Sequence, residues 1–325
     1  MAHELDLTTG LPAIAYTGRK PWHGYGQTLD EFQPLDVWRV AAGLNWEVEE
    51  RTVKYCPDIL NPLRAIDYPG KKVLLRSDTR DPLSVVSDRY KVVQPEEVLQ
   101  FFKDLIDREG FRMNTAGALR DGKRVWALAE TGKDFTIKGD KVAAYLLLAT
   151  SYDGTFSTTA QFTSIRVVCN NTLSFSLDRG SEGGIVKIPH NQSFNSVNVK
   201  GELGLDESWT QFKSNITALA DLKVTKRQAI EFFLTLLGVT ETEAADGKQL
   251  SNVKKLLSFY ESAPGSKLVT AKDTAWGLVN AVTFLADHSR RATNTGTRFD
   301  SASFGSGNVL KRKAYTQAMG LVEAA

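Results

Sequence analysis

The sequence is poor in the residues from which disulfide frameworks and metal sites are built. It has two cysteines, Cys56 and Cys169, and four histidines, His3, His23, His190 and His288, all far apart. Two distant cysteines make no disulfide framework and suit a reducing compartment, so a cytoplasmic location is expected. No HxH, HExxH or CxxC spacing occurs, so no metal site is written into a local stretch, and no cofactor is expected. A P-loop signature is missing, and the pairs Gly24-Tyr-Gly26 and Gly305-Ser-Gly307 are isolated and read as turns. No apolar run nears the ~20 residues of a membrane span. The longest, Val142–Ala149, has the length of a strand. Met1–Gly10 carries His3, Glu4 and Asp6 and no apolar stretch, so no secretory segment is expected. An excess of one charge is absent too: 40 Lys and Arg face 38 Asp and Glu, a formal net charge of +2. Any anion-binding surface must therefore be local.

What the chain does have is ordinary globular material. Its 325 residues are 42% hydrophobic, enough for one large domain or two modest ones. Residues 1–33 are rich in turn formers, with Trp22, His23 and Tyr25 among them, and read as an irregular aromatic arm. Pro34 to Gly43 reads as a short helix, and Leu44, Trp46 and Val48 alternate with polar residues as a strand does. Val73–Leu75 and Leu83–Val86 flank a polar loop, and Tyr90–Val93 extends the pattern. Pro95 opens a helix that Gly110 closes. Asp121-Gly122 joins Phe111–Leu119 to Arg124–Glu130, and Asp153-Gly154 joins Val142–Ser151 to Phe156–Val168, two hairpin signals of the same kind. Gly180, Gly183 and Gly184 mark a loop before the short strand Ile185–Ile188. From about Leu205 the apolar period becomes helical, with a capping box at Thr225–Gln228. The expectation is an α+β fold: an antiparallel, hairpin-rich sheet with packed helices over 34–200, then a helical region over 201–325 with a Gly/Ser-rich loop at 289–308.

Basic residues carry most of the chemical signal. Arg76, Arg80, Arg89 and Lys91 follow one another around the first hairpin, with Tyr90 among them. Lys123 and Arg124 flank a hairpin tip beside Trp126, and Arg166 stands in an otherwise neutral strand. Asn170, Asn171 and Thr172 follow it; they read equally as polar contacts to a phosphate or base edge, or as a strand end capping a short helix. Arg290, Arg291, Arg298, Lys311, Arg312 and Lys313 surround the Gly/Ser loop. Between Asp287 and Lys313 those six face only Asp287 and Asp300, a local charge of +4. Cations for phosphates and rings for unstacked bases are what single-stranded nucleic acid requires. Against this stand two alternatives. Asp78, Asp81, Asp88, Asp153 and His288 are candidates for metal or acid–base chemistry. Cys169, at the end of an apolar strand, reads either as a nucleophile or as a small buried hydrophobe.

Several strings resemble a phage- and plasmid-borne family defined by the conserved domain of unknown function number 932. They are Pro21-Trp-His-Gly-Tyr-Gly-Gln27, Arg76-Ser-Asp-Thr79, Val86-Ser-Asp-Arg-Tyr-Lys91 with Val93-Gln94, Gly122-Lys-Arg-Val-Trp-Ala127 and Ser151-Tyr-Asp-Gly154. The densest is Arg166-Val-Val-Cys-Asn-Asn-Thr-Leu173. Thr274-Ala-Trp-Gly-Leu-Val-Asn280, Asp287-His288, Phe304-Gly-Ser-Gly307 and Lys311-Arg-Lys313 follow. Tyr25 departs from the aliphatic residue expected at its place. The resemblance implies a role in mobile-element biology. Joined to the basic residues, it gives the leading expectation: a non-enzymatic, homo-oligomeric protein that binds or anneals single-stranded DNA in recombination or replication. A metal-dependent enzyme on nucleic acid or nucleotides and a host-protein-binding, anti-defence protein are the alternatives.

Overall fold

The computed structural model describes residues 5–8, 10–18, 26–58, 64–166, 171–174, 184–239, 247–291, 298 and 301–325. The expected pieces at Pro21–Tyr25, Cys169, Asn170, Gly180 and Gly183 lie outside the described residues.

The two Asp-Gly turns organise the large sheet. β6 (Arg112–Leu119) and β7 (Arg124–Glu130) form one hairpin, whose turn holds Arg120, Asp121 and Gly122 at φ values of 55, 55 and 85°. β9 (Asp140–Ser151) and β10 (Thr158–Arg166) form the other. There the Asp153 carboxylate accepts from Thr155 N and Oγ1 at 3.1 and 2.6 Å, closing an Asx turn. β9 also pairs β7, fusing the hairpins. Four short strands extend them: β8 (Phe135–Ile137) on β9, and β11 (Asn171–Ser174) and β12 (Ile185–Ile188) on β10. The fourth, β1 (Ile14–Thr17), pairs β6 and carries β2 (Gln27–Leu29) in parallel. The order is β11-β10-β9-β7-β6-β1-β2, antiparallel but for that last pair. A second, three-stranded sheet holds β3 (Val48–Tyr55), β4 (Ile66–Arg76) and β5 (Pro82–Ser87) in that order.

The helices follow from sheet chemistry. One face of the large sheet is built of small residues, Ala116, Ala118, Ala127, Ala129 and Ala160, beside Leu146 and Leu148. Short side chains let large ones approach. Trp38 of α1 (Leu35–Ala41), Val98 and Leu99 of α2 (Pro95–Gln100) and Leu105 of α3 (Lys103–Glu109) pack with that face in one core. Farther along the same face, Val142, Ala144 and Phe162 enter a second core with α5 (Leu205–Asp221), α6 (Lys226–Leu237), α7 (Gly247–Ser262), α8 (Ala275–Phe284) and α9 (Ser306–Glu323). α4 (Ser196–Leu203) bridges the two regions, capped by the Asn195 side chain. The opposite sheet face is thinner and carries Ile14, Leu119, Trp126, Leu147 and Ala149, with Leu5 against them. The chain is thus α+β, with antiparallel hairpins first and helices after. Among the described residues, no helix is long and apolar enough to cross a membrane.

Some local expectations are corrected. The strand expected from Leu44 begins only at Val48, because Leu44 and Trp46 are buried in a loop closed by Trp46 Nε1 donating to Gly43 O at 2.9 Å. Tyr90–Val93 is not a strand: Tyr90 and Val93 point into the core from irregular chain. The helix between Pro95 and Gly110 is interrupted at Phe101-Phe102, whose rings are both buried and meet edge to face at 5.0 Å. The arm is not wholly irregular, since it contributes β1 and β2.

Candidate nucleic-acid interface

The basic residues near the C-terminus gather around a π turn. Thr274 caps α8, its hydroxyl accepting from Gly277 N at 3.1 Å. Gly277 passes so close to the chain before it that a Cβ there would lie 2.0 Å from Ala271 O. Such a contact forbids any side chain. α8 then widens into the π turn Leu285–Ser289. Turns of this kind recur at functional sites, because the extra residue re-aims side chains. Here the turn carries Asp287 inward, where Lys311 Nζ, 1% exposed, donates to Asp287 Oδ1 at 2.8 Å. Cations collect at the end of the turn. Lys255 Nζ donates to Ser289 O at 3.1 Å, and Arg298 Nε to Arg290 O at 3.2 Å. Terminal carbonyls attract such donors. The Lys255 ammonium has three donors, one of them so engaged. Arg291 is exposed and Arg290 half-buried, and neither forms an ion pair among the described residues. Arg290 Nη1 is shielded from solvent and has no hydrogen-bond acceptor among them.

The loop's far end is anchored on the sheet. Phe304 stacks on Phe156, centroids 5.5 Å apart and planes within 3°. Phe156 in turn lies under the Arg124 guanidinium at 5.2 Å, whose Nη2 donates to Thr155 Oγ1 at 3.0 Å. The Gly/Ser loop and both Asp-Gly hairpins therefore meet at one corner. Sequence spacing gave no sign of this stack, though Phe304 and Phe156 each stood as a lone aromatic among polar neighbours.

Three candidate contacts, Arg76, Tyr90 and Lys311, turn out to be internal supports. Arg76 is fully buried. It is bonded to Asp6, and through Nε and Nη2 to both oxygens of Asp78 at 2.9 and 2.8 Å, with its guanidinium 4.3 Å over Trp46. Burial opposes its charge, but hydrogen bonds and attraction from Asp78 and Asp6 prevail and hold its pKa above the ordinary arginine value. The bond from Arg76 lowers the Asp78 pKa. Tyr90 is buried, donates to Ser151 O and stacks on His190 at 4.3 Å; burial raises its pKa. Lys311 is held by Asp287. Lys313 Nζ donates to Leu236 O at 3.0 Å, capping α6. Arg76, Tyr90 and Lys311 present no charged or polar head group to the surface, whereas Lys313 is exposed.

The rest are distributed. Arg89 is exposed beyond β5, Lys123 half-buried at the β6–β7 turn, and Arg312 half-buried on α9. Arg166 ends β10 in register with Asn171 of β11. The reading of Asn171 and Thr172 as a strand end is corrected: they open a new strand, while Asn170 lies outside the described residues. The acid–base candidates are not brought together. Asp78 is held by Arg76, Asp153 closes its turn, and His288 sits in the π turn. Among the described residues no group of three or more His, Cys, Asp or Glu is placed to hold a metal ion.

Comparison with known families agrees with the strings between Val86 and Gly305, while Pro21–Gln27, Arg76–Thr79 and Lys311–Lys313 lie outside the matched stretch. The model of a domain of unknown function, DUF932, matches residues 82–306. The chain belongs to this family. The DUF932 stretch spans the fused hairpins, α8, the π turn and the basic loop, and stops before Lys311; Asp6, β3 and β4 precede it. No curated protein and no solved structure matches the chain.

Proposed function

We propose that the protein binds single-stranded DNA without sequence preference, through the cations gathered at the π turn, in the processing of phage or plasmid DNA. The observation that carries this reading is the charge imbalance there among the described residues. Lys255, Arg290, Arg291 and Arg298 share one end of α8, while Asp287, the carboxylate of that turn, is held by Lys311. Like charges held together repel at short range in low salt. A polyanion relieves that repulsion, and a flexible single strand conforms to a local cluster of cations better than a stiff duplex. Arg290 Nη1, shielded and lacking an acceptor among the described residues, suits a phosphate oxygen. The Phe156–Phe304 pair beside Arg124 offers a neighbouring aromatic platform.

Fluorescence anisotropy with labelled single-stranded DNA, single-stranded RNA and duplex DNA tests this. The expected result is binding of single-stranded DNA at ~50 mM salt, weaker binding of duplex, and loss of most affinity by ~300 mM, as counterion release demands. Absence of binding at ~50 mM salt, a condition that favours phosphate contacts, would overturn the proposal.

A further inference from the structure

The three-stranded sheet narrows to two strands beyond Gly70. β5 pairs β4 only from Lys71 onward, whereas β3 follows β4 out to Tyr55–Ile66. The result is a hairpin arm reaching roughly 15 Å past the sheet. Its strand residues from Glu50 to Tyr55 and from Ile66 to Lys71 are exposed or, at Val53, half-buried. A bare two-stranded ribbon is marginal in water. This one also shows an apolar face, with Tyr55, Ile66 and Tyr68 47, 42 and 49% exposed and the two tyrosine rings edge to face at 6.2 Å. A second unpartnered apolar surface lies on the body. Val37 and Val40 stand on the outer side of α1, and Phe32 just before it is 79% exposed. Phe32 also sits at φ 65°, a region costly for a bulky residue.

We propose that these two surfaces are the halves of one interface between copies of this chain, the arm of one copy lying on the α1 patch of the next. Charge selects that occupant. The patch is rimmed by exposed Asp30, Glu31 and Asp36, while its Arg39 is paired with Glu96 at 3.2 Å. On the arm, Lys54 and Asp67 balance each other at 3.4 Å, and exposed Arg64 and Lys71 outnumber Asp58. A net-acidic rim meets a net-basic arm, which disfavours arm on arm and patch on patch. The contact is heterologous and propagates into a ring or filament.

Size-exclusion chromatography with light scattering tests it, using Tyr55→Glu/Tyr68→Glu as the arm variant and Val40→Glu as the patch variant. Far-UV circular dichroism checks folding, and Val37→Glu replaces Val40→Glu should that chain misfold. Wild type is expected at a multiple of 35.9 kDa. Each variant alone is expected as a monomer. Their equimolar mixture is expected at twice 35.9 kDa, because one intact arm then meets one intact patch. Three outcomes overturn the proposal: a monomeric wild type at ~100 μM, a weak-interface concentration; wild-type mass in either variant; or a mixture that stays monomeric.

Discussion

Lys311→Ala is expected to lower stability by ~3–5 kcal/mol, the usual cost of removing one partner of a buried ion pair. In a chain of this size that lowers the apparent Tm by roughly 4–7 °C. Lys311 is 1% and Asp287 8% exposed at the side chain, so solvent has little access to replace the lost cation. The double variant Lys311→Met/Asp287→Leu removes both charges and supplies apolar groups of similar size, and is expected to recover most of the loss. It should also bind DNA as wild type does, because Lys311 serves the helical core and not the surface. Differential scanning fluorimetry checks the first point and oligonucleotide anisotropy the second. A Lys311→Ala protein melting within ~2 °C of wild type would show that the pair contributes little.

Arg76→Met is the second large effect. Asp6 is about as buried as Arg76 itself, and the substitution leaves its carboxylate facing a thioether while the stacking on Trp46 is lost. The expected cost at pH 7 is again ~3–5 kcal/mol by urea unfolding. The effect should depend on pH, and the sign is fixed by Asp78. Its pKa is lowered in the folded protein by Arg76. Its share of the stability is therefore present above the ordinary carboxylate value near ~4 and is lost as pH falls through the lowered folded value. The gap between wild type and Arg76→Met should shrink on going from pH 7 to pH 3. A gap that stays constant over that range would mean that Asp78 is not coupled to Arg76.

These two residues also show where sequence reading reaches its limit. Arg76 and Lys311 fall with the surface cations in the sequence because a buried and an exposed base look alike there. Their partners Asp6 and Asp287 lie 70 and 24 residues away. The hairpins were legible because Asp-Gly carries its own turn geometry at Asp121-Gly122 and Asp153-Gly154, and the α6 cap was legible at Thr225–Gln228. β8 and β11 are shorter than the period-2 pattern needs and pair on the edges that β9 and β10 offer, whereas β12 is legible as the short run Ile185–Ile188. The π turn carries no propensity signal. It follows from packing Asp287 against α9, a contact decided in three dimensions. The distal half of β4 carries no sequence signal because it has no buried face to impose alternation.

The most direct test of the proposed interface is the salt dependence of single-strand binding for wild type beside Lys255→Ala/Arg290→Ala/Arg291→Ala/Arg298→Ala. Each phosphate contact contributes about 0.7 to the slope of log affinity against log salt on single strands. The account predicts a variant with wild-type secondary structure, affinity lower by at least about 100-fold at ~50 mM salt, and a slope shallower by roughly 3. A folded variant with the affinity and slope of wild type would contradict it.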